Sequence, residues 1–208
     1  LNGRLLTRVF TLACSPAQYK ATGLLRVLIK TNEQGRFTAQ LQSTLKAPSW
    51  CNISAPSGDF VFKSWHKSSI LVAGGSGITP MLAMLDQQLG NTEHQIKLIY
   101  FAKAGEHQCT NELKMLTQQY NHFSYVLLTR DRSPYLTTHI NTDDNPDIYC
   151  CGPAGFMQEV ADFTRLLNLT YYQESFALSM PKLTDDNHFS VIINKDTHVV
   201  TSNEVLLN

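Results

Sequence analysis

A parallel α/β sheet domain, preceded by a smaller antiparallel β-barrel, is the fold class that the sequence predicts. Two glycine-containing turns, at residues 74–80 and 150–157, each follow a short apolar run of the kind that forms a buried strand. Between residues 68 and 178, β runs alternate with helical segments, which is typical of a parallel sheet. The first 66 residues instead hold short β runs between Gly, Pro and Ser turns, as in an antiparallel barrel.

Each element follows from a local pattern of residue types. Runs rich in β-branched, aromatic and aliphatic residues predict barrel strands at 7–13, 23–30 and 50–54, and sheet strands at 70–73, 96–102, 123–129, 148–151 and 171–178. Longer segments between the sheet strands predict helices at 80–89, 109–120 and 153–167. A final pair of β runs predicts a hairpin over residues 188–200, around an Asn-Lys-Asp turn.

Composition narrows the class of protein without identifying it. The chain has 208 residues and a formal net charge of zero, which gives no reason to expect nucleic acid or an acidic membrane as a partner. No apolar run approaches the roughly 20 residues of a membrane-spanning helix. The five cysteines form neither a disulfide framework nor a zinc-spaced cluster, so we expect no bound metal and a cytoplasmic location.

The first glycine turn has the residue types of a phosphate-binding loop. Gly75 and Gly77, with Gly74, carry no β-carbon that would keep a diphosphate from backbone N–H groups. Thr79 is expected to cap the following helix and Pro80 to occupy its first position. A helix N-terminus of this kind favours an anion through its free donors and its dipole. Taken alone, the motif is also compatible with a turn that only packs a helix against a strand.

Two departures argue against an ordinary Rossmann dehydrogenase. The third glycine of the usual dinucleotide motif is replaced by Pro80, and the strand at 96–102 is followed by Lys103 rather than by an acid for the ribose hydroxyls. Since parallel strands end at one edge of their sheet, the turns at 74–80 and 150–157 are expected to hold one nucleotide between them.

Seven motifs in the same order resemble the ferredoxin–NAD(P)H reductase family, and especially its bacterial flavodoxin-reductase-like branch. Gly-Gly-Ser-Gly-Ile-Thr-Pro-Met at 74–81 and Cys-Gly-Pro-x-x-Phe-Met at 151–157 are similar to its pyridine-nucleotide motifs. Upstream motifs resemble its flavin elements, with Arg-Val-Phe-Thr at 8–11, Gly-Arg-Phe-Thr at 35–38 and Ala-Pro-Ser-Gly-Asp-Phe at 55–60. The remaining motifs are Tyr-Phe-Ala-Lys at 100–103 with Asn-Glu-Leu at 111–113, and Glu-Ser-Phe at 174–176.

The resemblance implies a flavin site, with FAD expected and FMN as the alternative. It implies that Arg8 neutralises a flavin phosphate, that Phe10 lies against the isoalloxazine ring and that Thr11 offers a hydroxyl near N5. Gly35 and Thr38 are implied to bring donors to the flavin diphosphate. Without the other motifs, the segment at 8–11 is a plain β-strand and the segment at 35–38 an ordinary turn and cap.

The resemblance also implies a nicotinamide site, for NADH or NADPH, beside the flavin. Cys151 is placed next to nicotinamide C4, Glu174 near the nicotinamide and flavin N5, and Phe176 over the ring face that the nicotinamide approaches. Phe176 is equally compatible with a core position in the last strand. The catalytic candidates are thus Cys151, Glu174 and Thr11, whereas Cys150 is expected to be a buried packing residue.

The remaining nucleotide contacts are expected at both turns and at the ends of neighbouring strands. Lys103 and Arg130 lie within reach of the adenosine ribose or phosphate, yet no serine–arginine pair follows the second strand, which weakly favours NADH. The full set of expected nucleotide-binding residues is Gly75, Ser76, Gly77, Thr79, Pro80, Lys103, Arg130, Gly152 and Pro153. Gly77→Asp is expected to abolish nucleotide binding while the fold persists.

Three segments follow from the motifs and the resemblance. Residues 1–67 are expected to form part of the flavin barrel, residues 68–178 the NAD(P) domain, and residues 179–208 a linker with the opening hairpin of a ferredoxin-like domain. A 2Fe-2S cluster is expected only in a longer parent chain. Because seven residues precede Arg8, we expect the 208-residue chain to bind flavin weakly or not at all.

The expected function is that of a flavin-dependent NAD(P)H oxidoreductase. It would move a hydride from nicotinamide to flavin and then single electrons to an iron–sulfur acceptor, with a ferredoxin, flavodoxin or iron–sulfur protein as partner. Two alternatives stay open at this point: a reductase that releases free reduced flavin, and a catalytically silent nucleotide-binding interaction module.

Overall fold

A computed structural model describes residues 8–30, 38, 53, 55–63, 68–129, 136–176, 188–193 and 196–201. The chain divides into two compact units, Leu1–Phe176 and Ala177–Asn208. None of the helices within the described ranges is long and apolar enough to cross a membrane.

Five parallel strands form the sheet of the first unit. They are β1 (Ser68–Gly74), β2 (Gln95–Ala102), β3 (Phe123–Thr129), β4 (Asp147–Cys151) and β5 (Tyr171–Glu174). The described helices are α1 (Pro16–Thr22), α2 (Ile78–Gln88), α3 (Thr110–Gln119), α4 (Leu136–His139) and α5 (Ala154–Leu166). The predicted parallel sheet is confirmed, although the last strand ends at Glu174 and the short helix α4 was not predicted.

The strand order β3-β2-β1-β4-β5 places a reversal of direction in the middle of the sheet. From β1 the chain first builds outward through β2 to β3, and then returns to the other side of β1 to build β4 and β5. The carboxyl ends of β1 and β4, which are neighbours, therefore diverge into separate loops. In open α/β sheets this switch point is where ligands bind.

The two faces of the sheet pack against different elements. On one, called here the α2 face, the core includes Leu71, Ala73, Tyr100, Tyr149 and Cys151 with side chains from α2 and α3. The other, the α5 face, buries Ile70, Val72, Ile99, Ile148 and Cys150 against α5. Since side chains alternate along a strand, each face is served by every second residue.

The amino-terminal region comprises the residues before β1, of which 8–30, 38, 53 and 55–63 are described. Its described part differs from the predicted barrel strands. Residues 8–13 and 23–30 form one isolated antiparallel bridge, between Leu12 and Val27, instead of continuous strands. Helix α1 was missed, although its ends carry clear signals: the Ser15 hydroxyl accepts from the Gln18 amide, and Gly23 ends the helix with φ 69°. The predicted strand at 50–54 falls almost entirely outside the described residues, so the barrel stays a prediction.

Polar contacts nevertheless fasten this region to the sheet domain. The Arg26 guanidinium donates to both carboxylate oxygens of Glu112 on α3, at 2.8 and 2.7 Å. The Ser15 amide donates to Asp86 on α2 at 2.8 Å, and Lys30 pairs with Glu106 at 2.7 Å. The Arg26 pair is bidentate and only about a third exposed, at 36% and 32%, so it is the strongest of these ties.

The second unit contains the predicted hairpin. Strands β6 (His188–Ile193) and β7 (Asp196–Thr201) pair antiparallel, with His188 opposite Thr201 and Ile193 opposite Asp196. The two residues between the strands lie outside the described ranges.

We predict that Arg26→Ala lowers the free energy of unfolding by about 1 kcal/mol, because it leaves a partly buried carboxylate without its bidentate partner. Lys30→Ala is the matched control, since that pair is exposed and is expected to contribute nothing measurable. Urea denaturation of both variants measures the difference. Equal destabilisation by the two changes would contradict the ranking of these ties.

Candidate functional site

The two glycine turns meet at the switch point of the sheet. Ala73 of β1 lies opposite Cys151 of β4 in the parallel register, and the chain leaves both strands immediately afterwards. From β1 it passes through a 3₁₀ turn, Gly75–Gly77, into α2; from β4 it passes through Gly152 and Pro153 into α5. The sequence prediction that both turns share one edge of the sheet is confirmed.

Three of the glycines serve the packing of these turns on each other. A β-carbon at Gly77 would overlap the carbonyl group of Cys151 and lie 3.0 Å from the Gly152 nitrogen. A β-carbon at Gly74 would lie 2.9 Å from the Phe156 ring, and one at Gly152 would lie 2.8 Å from the same ring. The space beside Gly74 and Gly77 is thus filled by protein, which corrects the expectation that these residues open room for a diphosphate.

Gly75 and Ser76 form the open part of the turn. Gly75 has φ 58°, and apart from Gly75 itself and its two chain neighbours, no atom of the described residues lies within 4 Å of the position that a β-carbon there would take. Ser76 is exposed, whereas Gly77, Thr79 and Pro80 are buried beneath these two residues. A nucleotide phosphate approaching this edge would therefore meet the backbone of Gly75 and Ser76.

The start of α2 differs in detail from the prediction. The Thr79 side chain does not cap the helix; its hydroxyl donates to the Ser76 carbonyl at 3.1 Å, which fixes the turn. Pro80 is the third helical residue rather than the first, a position where its missing N–H still removes no helical hydrogen bond. Within the described part of the chain, no side chain caps the first turn of α2. The Ile78 amide donates instead to the carbonyls of Gly75 and Ser76, and Pro80 has no N–H.

The three catalytic candidates lie together on the α2 face. Cys151 and Glu174 are register partners on β4 and β5, and the Thr11 hydroxyl donates to Glu174 Oε2 at 3.3 Å. Thr11 is 163 residues away from Glu174 in the chain. This cluster also includes Gly58, whose β-carbon position would lie 3.9 Å from Glu174 Oε1.

The two adjacent cysteines point to opposite faces. Cys151 belongs to the α2 face with Glu174, whereas Cys150 is packed in the α5 face; both are fully buried. Burial raises the pKa of the Cys150 thiol to about 12. Burial, followed by the charge of Glu174, raises the pKa of Cys151 far above its usual range. The Cys151 thiol is therefore neutral near pH 7 and is not suited to nucleophilic attack.

Glu174 is a carboxyl group held in a half-buried setting. Burial raises its pKa, and the hydrogen bond from Thr11 acts in the opposite direction because it favours the carboxylate. A carboxyl group with a raised pKa beside a hydroxyl donor is able to hold or exchange a proton at this edge of the sheet.

The expected flavin residues are described only in part. Arg8 is exposed, and Phe10 and Thr38 are half-buried, with Thr38 in helical backbone. Phe176 follows β5 and is 42% exposed, so it is not the core residue that one interpretation expected. Gly35 lies outside the described residues.

Lys103, which is predicted to contact the adenosine end of the nucleotide, lies in the loop after β2. Lys103 is exposed directly after the strand, and Glu106, three residues later, pairs with Lys30. His107 Nε2 lies 3.2 and 3.1 Å from the carbonyl oxygens of Tyr100 and Leu128, which anchors the loop to β2 and β3. Arg130 lies outside the described residues.

Sequence reasoning missed two residues of this region. Gly58 belongs to one of the flavin motifs but was assigned no role, although its φ of 126° is rare for any residue but glycine and it lies beside Glu174. Tyr149 was interpreted as an ordinary strand residue. Its position two residues before Cys151 was the available signal, because it places Tyr149 on the same face of β4.

Comparison with known proteins finds one matching family and several proteins of similar sequence. Residues 71–162 match the family of oxidoreductase NAD-binding domains. The chain is 29% identical over 150 residues to a flavohemoprotein of Deinococcus radiodurans, covering 63% of this chain and 37% of that protein. It is 25% identical over 194 residues to the electron transfer component of 2-halobenzoate 1,2-dioxygenase of Burkholderia cepacia, covering 85% and 56%. The chain thus spans about half or less of the length of these relatives.

Solved structures share the fold. The flavohem-like FAD/NAD-binding domain of nitric oxide dioxygenase from Vibrio cholerae superposes with a TM-score of 0.67 at 24% identity, over 80% of this chain and 76% of that one. Phthalate dioxygenase reductase, described as transferring electrons from pyridine nucleotides to [2Fe-2S], superposes with a TM-score of 0.63 at 22% identity, over 95% and 63%.

We predict that Gly77→Ala disrupts the site through the fold, because its β-carbon collides with backbone rather than with a movable side chain. The same collision contradicts the expectation that Gly77→Asp would lose binding in an intact fold. Gly75→Ala is the matched control: it has open space and costs about 1 kcal/mol for its left-handed φ. Thermal unfolding should show a much larger fall in Tm for Gly77→Ala, and equal falls would argue against the packing role.

We predict a pH-dependent contribution from Glu174. Its folded-state pKa is raised, so its contribution to stability is fully present below the unfolded pKa of about 4.3 and is lost as the pH rises through the folded pKa. Glu174→Gln should remove that loss, and Thr11→Val should move it to higher pH. Urea denaturation from pH 4 upward measures this, with Glu159→Gln on exposed α5 surface as the control. A profile for Glu174→Gln parallel to that of wild type would refute the assignment.

Proposed function

We propose that the chain belongs to the ferredoxin reductase-like oxidoreductases and acts as an NAD(P)H-dependent flavoprotein reductase. In this proposal a hydride passes from the nicotinamide to a flavin, FAD in preference to FMN, and electrons then pass singly to an iron–sulfur acceptor. The single observation that carries the proposal is the cluster of Thr11, Cys151 and Glu174 at the switch point, beside an open glycine turn.

The described residues fit a dinucleotide at this edge of the sheet. Gly75 has open space where a side chain would lie and Ser76 is exposed. Both residues come directly before the first turn of α2, which no side chain within the described residues caps. In our proposal the diphosphate lies there, where N–H groups and the helix dipole favour an anion. The nicotinamide then extends past Gly152 and Pro153 toward Cys151.

Cys151 acts in this proposal by shape and polarizability. Its thiol is fully buried and neutral, so it packs beneath the reacting carbon without forming a covalent bond to it. The neighbouring strand residue Ala73 is small, which leaves the thiol as the bulkier of this pair at the strand ends. Hydride transfer needs the donor and acceptor rings in contact with water excluded, and rigid strand ends provide that alignment.

In this proposal Thr11 and Glu174 hold or exchange a proton at the site and orient the edge of the flavin. The Thr11 hydroxyl donates to Glu174 at 3.3 Å and joins the amino-terminal region to β5 at the site. A bound flavin would supply the redox chemistry, accepting two electrons and releasing them one at a time. Arg8, Phe10 and Thr38, with Gly35, are the residues that we propose hold it, and Phe176 covers its exposed ring face until nucleotide binds.

The choice of nucleotide and the identity of the electron acceptor are proposed from fewer observations than the reaction itself. Lys103 and Arg130 are proposed to contact the adenosine end, with a preference for NADH. The proposed partner is a ferredoxin, flavodoxin or iron–sulfur domain, by analogy with relatives named as electron transfer components of dioxygenases. We propose domain boundaries at 67 and 178, with residues 179–208 forming a linker and the first hairpin of a 2Fe-2S domain.

The direct test mixes the anaerobic chain with FAD or FMN and follows flavin bleaching after NADH or NADPH is added. Bleaching at a rate above that of nucleotide and flavin alone supports a reductase, and transfer to an added ferredoxin separates it from a free flavin reductase. Nucleotide binding without bleaching for either flavin would favour a silent binding module and overturn the proposal.

We predict that Cys151→Ala and Cys150→Ala differ in kind. Cys151→Ala should slow flavin reduction in stopped-flow mixing at unchanged nucleotide affinity, because it removes the group beneath the reacting carbon. The Cys150 side chain faces the opposite side of the sheet. Cys150→Ala should therefore lower the free energy of unfolding by about 1 kcal/mol through lost packing. Equal reduction rates in wild type and Cys151→Ala would remove Cys151 from the site.

A further inference from the structure

The candidate site lies on top of a second row of side chains. In the register of the sheet, Cys151 is opposite Glu174, and Tyr149, two residues earlier on β4, is opposite Tyr172. Both rows project from the α2 face. They are separated by about 7 Å, the rise of two strand residues. The lower row therefore supports the residues proposed to act on the nicotinamide and flavin.

Tyr149 is the centre of this lower row. Its ring stacks on Tyr172 with centroids 4.8 Å apart and on Phe62 with centroids 5.0 Å apart, at interplanar angles of 19° and 10°. The ring of Phe60 meets it edge-on at 6.1 Å. Its hydroxyl accepts a hydrogen bond from the Lys63 amide at 2.8 Å. Tyr149 is fully buried, so these contacts define its surroundings on the side of the amino-terminal region.

Residues 58–63, called here the crossing segment, depend on side chains for their position. The segment forms neither helix nor strand, and the backbone hydrogen bond from the Val61 amide to the Asp59 carbonyl lies within the segment itself. At one end Gly58 lies beside Glu174 in the upper row. At the other end Lys63 is held by Tyr149 in the lower row. The crossing segment therefore touches both rows.

We propose that Tyr149 is a positioning residue that sets the distance between the amino-terminal region and the nucleotide site. Its ring and hydroxyl fix the crossing segment against β4, and the same strand carries Cys151 at its end. The inference rests on the proposed hydride transfer, because the two regions it aligns are those proposed to hold flavin and nicotinamide. Hydride transfer is sensitive to displacements of about 1 Å. Gly75 and Ser76, where the nucleotide is proposed to bind, lie beyond the end of β1, whereas Tyr149 is opposite Leu71 within that strand.

The test compares two hydroxyl deletions within one aromatic stack. Tyr149→Phe keeps the ring and removes the acceptor for the Lys63 amide. Tyr172→Phe is the matched control, because its ring is in the same stack while its hydroxyl makes no hydrogen bond to the described residues. Lys63 is an exposed residue and its hydrogen bond to Tyr149 is only partly buried, so the fold is expected to survive Tyr149→Phe. Phe62→Leu tests the same contact from the crossing segment, because the Phe62 ring stacks on Tyr149.

Two measurements are made on the 208-residue chain. Amide hydrogen exchange should show about five- to tenfold faster exchange at Lys63 in Tyr149→Phe, the loss expected for one hydrogen bond, and no change in Tyr172→Phe. Stopped-flow mixing with flavin and NADH should show a limiting hydride-transfer rate lowered by about the same factor, with Kd for NADH within about twofold of wild type. Phe62→Leu should lower that rate in the same direction.

Each other outcome overturns the inference. Unchanged exchange at Lys63 would show that Tyr149 does not hold the crossing segment. Faster exchange with an unaltered hydride-transfer rate would show that it holds the segment without positioning the site. An equal rate loss in Tyr172→Phe would assign the effect to the stack in general. Failure of the proposed function is recognised separately, because wild type itself would then not reduce flavin.

Discussion

Close contact between two loop backbones is the constraint on which the site depends. Gly77, at the start of α2, lies so near the peptide joining Cys151 to Gly152 that no side chain can be placed between them. The contact is possible because β1 and β4 are neighbours whose chains turn away to opposite faces. Phe156 closes the same junction by packing on both Gly74 and Gly152. Within this turn, Gly75 and Ser76 stay open above the junction.

Burial then decides the chemistry of the residues beneath this junction. Cys151 lies in a low-dielectric setting next to a carboxyl group, and both influences favour the neutral thiol. Glu174 is only half-buried and receives a hydrogen bond, so it keeps access to ionisation. We therefore propose different roles for these two titratable neighbours: Cys151 as a neutral packing group and Glu174 as a proton-exchanging group.

The amino-terminal region is fastened by two kinds of contact with different consequences. Arg26 and Lys30 form ion pairs with carboxylates near the surface, where water competes with each bond. Phe62 and Lys63 instead meet Tyr149 in a fully buried position of β4. Surface ties hold the region in place, whereas a buried aromatic contact fixes distances more tightly, because packed rings have few alternative arrangements.

The parallel sheet, the helices that flank it and the edge where the glycine turns meet were predictable from local periodicity and glycine placement. Helix α1 was also predictable, from Ser15, Pro16 and Gly23, and was overlooked. Three contacts were visible only once the chain was folded: Gly77 against the Cys151 carbonyl, Thr11 with Glu174, and Tyr149 with Phe62. Those contacts join residues far apart in the chain, and their distances depend on how whole elements pack, which no local pattern encodes.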